Sequence, residues 1–200
     1  MPGDNSTPDA ERNGCQEERG SDQTSRVMVD IETVGLQRGS AIVEIGAVQF
    51  APGGSIGETF YRSVSLTSSQ DAGLTIDADT IEWWLGENPE IAGDVLVGGN
   101  DLREVLADFA TWYLEIGPDE VWANSPSFDC EMLEHAGEKV GVPMPWDFYQ
   151  ERDVRTLDAL DHSVEIEQEG TEHNALDDAL YQARLVSEIL ESLGGERDAE

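Results

Sequence analysis

Three strand-like runs crowd the stretch between Arg26 and Val64, and this crowding limits what the chain can fold into more than any other feature. Arg26 to Ile31 (RVMVDI) is short and apolar, Ala41 to Phe50 (AIVEIGAVQF) is longer, and Thr59 to Val64 (TFYRSV) alternates. Ala51 to Ser55 (APGGS) is a turn signal, so the second and third runs are expected to pair antiparallel. Helical patterns follow, and a sheet begun this way has to be covered by them.

The first helix starts at Asp79 and runs through Trp84 and Leu85, and Asn88-Pro89 opens the next element. Asn100 to Ile116 shows helical spacing in Leu102, Val105, Leu106, Phe109 and Leu114. Glu120 to Ala123 (EVWA) reads as a buried strand, followed by a Ser-Pro loop and a helix from Phe128 towards Val140. Arg152 to Thr156 reads as a further short strand. The last helix opens on Asn174 and Asp177 as a capping pair and carries Leu180, Val186, Ile189 and Leu190 as its apolar stripe. Strands first, then alternating helix and strand, predict a mixed α/β sheet with helices on both faces.

Charge narrows the reading further. The 200 residues suit one domain, but 43 acidic residues against 11 basic ones give a formal charge of −32. Such a chain has no overall attraction for nucleic acid or an anionic membrane at ordinary ionic strength. Lys139 is the only lysine beside ten arginines. That balance suits the surface of a halophilic protein, and an acidic decoy of nucleic acid would share it. Cys15 and Cys130 support neither a disulfide framework nor a cysteine-rich metal site. No run approaches the roughly 18 apolar residues that span a bilayer. Met1 to Ser25 is polar, without a basic-then-apolar signal, and reads as a disordered, solvated tail. A folded domain over 26–193, a frayed end over 194–200 and a cytoplasmic location are the resulting expectations.

In so acidic a chain Asp-x-Glu spacing proves nothing by itself, and only context separates one pair from another. Asp30 and Glu32 end an apolar strand, where the period of 2 sets both on one face at the strand's carboxyl end. Two like charges buried there need a cation, and hard oxygen ligands suit Mg²⁺ or Mn²⁺. Two solvated carboxylates at a strand end would leave the same trace. Asp129 follows a strand and opens a helix, where the helix dipole alone would favour an acid. If Asn174 caps the last helix, His173 lies just outside it and Asp178 near its first turn, so both can face one cleft. His135 and His162 read as ordinary helix-surface or loop residues.

Taken together, these motifs resemble the DEDDh 3′–5′ exonuclease superfamily. The likeness points to its RNase T-like exoribonuclease branch, of phage and mycobacterial type. The segments that carry it are MVDIETVG, AIVEIGAVQF, TIDADTIEWWL, VWANSPSFDCEML, RDVRTL and TEHNALDDALYQA, which cover most of Arg26 to Leu193. The resemblance implies a ribonuclease H-like mixed sheet, with the first three strands antiparallel and the later ones parallel. It also implies two divalent ions, Mg²⁺ or Mn²⁺, held by Asp30, Glu32, Asp129 and Asp178. His173 is then the general base, and the substrate is nucleic acid with a free 3′ end. RNA is favoured by resemblance alone, with DNA as the alternative. Thr33, Gly35 and Leu36 would line the pocket for the terminal nucleotide, although Leu36 could equally close the core. Trp83 and Phe128 could stack a base or pack inside. Arg155, with Arg152, could bind phosphate or pair with a carboxylate. A homodimer is a further implication that no residue here establishes.

Overall fold

A computed structural model describes residues 24–160 and 162–195; most of the expected tail, through residue 23, and the end from 196 onward lie outside the described residues. The strands are β1 (Arg26–Thr33), β2 (Ile42–Phe50), β3 (Ile56–Ser63), β4 (Glu120–Ala123) and β5 (Glu151–Asp153). The helices are α1 (Leu66–Asp71), α2 (Ala78–Glu87), α3 (Pro89–Leu96), α4 (Leu102–Ile116), α5 (Asp129–Val140), α6 (Val154–Asp158) and α7 (Ala175–Gly195). The sheet order is β3-β2-β1-β4-β5. β1 lies antiparallel to β2, and β2 to β3. β1 and β4, and β4 and β5, run parallel. This is the mixed sheet that the strand pattern and the family resemblance led us to expect.

Alternation along β1 divides the molecule into two apolar layers. Val27, Val29 and Ile31 face one side, where they join residues of α2, α4 and α5. Met28 faces the other, against Ala179, Ala183 and Val186 of α7. The same alternation carries Asp30 and Glu32 onto the α7 face, just past the apolar contact.

On that face β2 brings Gly46 opposite Asp30 and Glu44 opposite Glu32. A Cβ on Gly46 would stand 2.2 Å from the carbonyl carbon and oxygen of Ala175. Only a glycine lets the first turn of α7 come down this far onto the sheet. Ala175, Ala179 and Ala183, spaced by four, continue the close approach along the helix and are fully buried. Small residues on both partners therefore set how near α7 lies to β1.

Several local expectations need correcting. Leu114 is 66% exposed, and Tyr113 takes its place in the buried stripe of α4. Trp84 is buried but Leu85 is not, so the inward face of α2 is narrower than expected. β3 begins at Ile56, three residues before the expected strand. The strand placed at Arg152 to Thr156 ends at Asp153, whose side chain accepts from the Arg155 amide and starts α6. Helix α1 is absent from the periodic pattern because LTSSQD has almost no apolar face. It forms because Ser65 caps it and Ser69 donates to the Ile42 carbonyl at 3.1 Å. α7 extends two residues past the expected domain end, to Gly195.

Candidate active site

Four acids from three elements meet where α7 starts. Asp30 and Glu32 come from β1, Asp129 is the first residue of α5, and Asp178 lies in the first turn of α7. The loop after β4 places Asp129, whose amide donates to the Ser125 carbonyl at 3.0 Å. Asn174 caps α7 as expected, its Oδ1 accepting from the Asp177 amide at 3.2 Å. The Asp177 carboxylate turns outward and accepts from the Thr171 amide at 2.8 Å, which ties down the preceding loop. Asp178 turns inward and its Oδ2 accepts from the His173 amide at 3.1 Å.

His173 has a φ of +63°, the only positive value at a non-glycine among the described residues. That left-handed step brings the imidazole back over the cleft. The ring stands edge-on to Trp83 at 5.0 Å between centroids, with Trp84 behind it at 6.0 Å. Trp84 is itself held by donation from Nε1 to the Thr33 carbonyl at 3.1 Å. One ligating atom from each of Glu32, His173 and Asp178 can be chosen so that all lie within 4.8 Å of one another.

Burial and crowding push these carboxyls upward. Desolvation leads for Glu32, followed by the charges of Asp178, Glu44 and Asp129, and raises it to about 8. Asp129, only 4% exposed, is raised to about 7 by desolvation, although backbone groups and the Arg155 charge oppose the shift. Asp30 is raised well above the usual carboxylate range by burial, then by Asp129 and Glu32, while Gln182 pulls it down. Asp178 is raised by burial against the opposing pull of His173. A cluster of carboxyls that burial, and next to it mutual repulsion, hold back from ionising has the donor chemistry to bind a hard divalent cation, which would supply the missing positive charge. The residues present fit that group.

Above this floor, a cavity of about 310 Å³, opens a wider cleft of about 960 Å³. Thr33, Leu36, Trp83, Phe128 and Arg155 all line it. Leu36 is 73% exposed and does not close the core; Trp83 is 40% exposed and packs on Trp84 with its other surface. Phe128 is half-buried and touches both the cleft and the core. Gly35 is the exception. It is buried beneath the loop, where a Cβ would stand 2.5 Å from Ser40 Oγ, so it shapes the turn and does not face the cleft. Arg155 borders both cavities. Arg152 instead binds Glu120 at 3.1 Å and the Tyr149 carbonyl at 2.7 Å, away from the cleft. His135 lies near Glu138 and His162 near Asp158, and neither lines these cavities.

Several residues of this neighbourhood escape sequence reasoning, among them Gln168, whose Nε2 donates to Asp178 Oδ1. Glu44 sits in the middle of an apolar strand and is buried, accepting from Tyr61 Oη at 2.6 Å and the Ala175 amide at 3.3 Å. Asn174 Nδ2 donates to the same Tyr61 oxygen at 3.3 Å, so this group clamps the start of α7 onto β2 and β3. Gln182 lies one turn beyond Asp178 and donates from Nε2 to Asp30 Oδ1 at 2.8 Å. A charged residue inside β2 and the i, i+4 relation of Asp178 to Gln182 were the available signals.

A sheet of this order, with two acids on its central strand and others opening helices beside a histidine, has the layout that the resemblance to DEDDh nucleases implied. The chain belongs to the family described as the 3′–5′ exoribonuclease Rv2179c-like domain, whose model matches residues 25–190. It is a 3′–5′ exonuclease. An exodeoxyribonuclease of Enterobacteria phage T4 is 24% identical over an alignment covering 66% of this chain and 70% of that protein. Among solved structures, the nuclease domain of 3′hExo, a DEDDh family member bound to rAMP, is similar at a TM-score of 0.63 and 15% identity, covering 84% of this chain and 92% of that one. Exonuclease X in complex with 5′ overhanging duplex DNA is similar at 0.56 and 19% identity, covering 84% and 93%. S. pombe Pop2p in its Mg²⁺- and Mn²⁺-bound form is similar at 0.57 and 17% identity, covering 82% of each chain.

Proposed function

We propose that this exonuclease shortens single-stranded RNA from its free 3′ end and releases nucleoside 5′-monophosphates. The convergence of Asp30, Glu32, Asp129 and Asp178 beneath an open cleft, with the His173 ring beside them, carries this reading. Asp30, Glu32 and Asp178 would hold one Mg²⁺ or Mn²⁺, and Asp30 with Asp129 a second. Two such ions stabilise charge on the attacking and leaving oxygens of phosphodiester hydrolysis. His173 takes the proton from the attacking water, as an imidazole general base does. The water oxygen bonds to phosphorus, the bond from phosphorus to the O3′ of the penultimate nucleotide breaks, and that oxygen takes a proton from solvent to leave as a hydroxyl, while the proton held on His173 returns to solvent. Trp83 and Leu36 offer apolar surface to the terminal base, with Thr33 and Phe128 as neighbours. Arg155 meets a phosphate.

The T4 relative is an exodeoxyribonuclease, which favours DNA as the second reading. Matched labelled RNA and DNA oligomers with Mg²⁺ decide between them: RNA is expected to be shortened at least tenfold faster, and faster loss of DNA reverses the assignment. In the same series, binding is measured by anisotropy with metal omitted. Arg155→Ala is expected to weaken it about tenfold, or ~1.4 kcal/mol. Trp83→Ala is expected to remove stacking of about 1–3 kcal/mol. Unchanged affinity in both variants would clear them from the substrate site.

Most of the other acids form a solvated coat of halophilic type. At 1 M salt a Debye length of about 3 Å hides their repulsion from a phosphate chain. Hydrolysis is therefore expected to persist or rise between 0.1 and 1 M KCl in assays of initial rate; a steep fall removes the halophilic explanation. Among the described residues no helix is long and apolar enough to cross a membrane. A cytoplasmic location (the host's, if virus-encoded) and a homodimer complete the proposal, the latter read by sedimentation.

A further inference from the structure

Gln182 poses a problem that the carboxylates do not solve. It is 5% exposed, sits in the floor of the acidic cavity, and its Oε1 has no hydrogen-bond partner among the described residues. Buried polar atoms left unpaired are uncommon because the lost hydration is not replaced. Rotating the amide would not cure this. With a cation bound, Asp30 is an ionised carboxylate that only accepts; its Oδ1 receives Nε2 at 2.8 Å, so the NH₂ faces Asp30 and Oε1 points elsewhere. The side chain leaves α7 four residues after Asp178, on the same helical face, and so reaches the cavity beside that acid.

We infer that Gln182 is a positioning residue for the metal centre. Its Nε2 orients the Asp30 carboxylate, and its Oε1 accepts a hydrogen bond from a water bound to the cation. This rests on the metal-dependent reading above. The chemistry suits the geometry. Mg²⁺ and Mn²⁺ coordinate water alongside carboxylates, and such water is a polarised donor that needs a fixed acceptor. A glutamine answers both needs without adding a fifth negative charge to a site where four already repel.

The test measures Mn²⁺ binding without nucleic acid, by electron paramagnetic resonance, beside the melting temperature in EDTA. Gln182→Leu keeps the volume and removes both polar atoms. Gln182→Met, unbranched like glutamine, serves where the leucine variant does not fold. The expected result is a 10- to 100-fold weaker Mn²⁺ affinity. The melting temperature in EDTA is expected to change little, because the lost donation to buried Asp30 is set against removal of an orphaned acceptor. Water-proton relaxation on the Mn²⁺ complex should show faster exchange of bound water, and kcat should fall with KM for the oligonucleotide within threefold. Mn²⁺ affinity and water exchange equal to wild type, with a lowered melting temperature in EDTA, would mean that Gln182 only packs. Wild-type protein that binds no Mn²⁺ would overturn the metal reading itself, and the two failures are thus distinct.

Discussion

Asp30→Asn is expected to abolish Mg²⁺-dependent hydrolysis while making the metal-free protein more stable. Loss of several kcal/mol of transition-state stabilisation corresponds to a fall of about 10³-fold or more in rate. Stability moves the other way because Asp30 is crowded by burial, Asp129 and Glu32. The direction with pH follows from linkage. The folded-state pKa values of Asp30, Glu32 and Asp129 lie above their unfolded values, with Glu32 at about 8 and Asp129 at about 7. Between about pH 4 and 8 the native state therefore binds more protons than the unfolded chain, and its stability falls as pH rises. Wild-type protein in EDTA should melt at progressively lower temperature from pH 5 to 8, and Mg²⁺ should restore most of the loss at pH 8. Asp30→Asn should melt above wild type at pH 8 in EDTA and close to it at pH 4.5. An active variant would remove Asp30 from the metal centre, and one that melts lower at pH 8 would show that its carboxylate is not destabilised by burial and its acidic neighbours.

His173→Asn is the second large effect, and asparagine is chosen for a structural reason. At a φ of +63° alanine would add backbone strain to the loss of the ring, whereas asparagine tolerates the left-handed region. The expected loss is 10²- to 10⁴-fold in kcat, as for removal of a general base. Melting temperature should change little, since the backbone bond from His173 to Asp178 is retained. Hydrolysis at the wild-type rate would move the proton transfer to another group.

The acids of this site were legible because each stands at an element boundary that the sequence marks. An apolar run ending in Asp30-x-Glu32 fixes two side chains to one face by the period of a strand, and Asn174 marks where α7 begins. Glu44 was not legible, since a lone acid in AIVEIGAVQF looks like the exposed position of an alternating strand. It is buried only because Gly46 admits the end of α7, whose Ala175 amide and capping Asn174 complete the group around Tyr61. The left-handed step at His173 was equally hidden, because nothing in TEHNAL demands it. Tyr113 displaced Leu114 from the core of α4 by a turn of about 100°, a distinction that periodicity with neighbouring apolar residues cannot resolve. Gly35, beside two residues that do face the cleft, differs from them only by the loop packing over Ser40.

The floor of the cleft joins the first strand of the described fold to its last helix, and this has a consequence for synthesis. A ribosome delivers Asp30 and Glu32 well before Asp178, with a delay of roughly 10–30 s at ordinary elongation rates. Until α7 emerges and docks on Gly46, β1 presents two acids on a bare sheet face. The nascent chain therefore lacks Asp178, His173 and Gln182 together. The acidic floor is therefore completed in a single step, when α7 docks on the sheet.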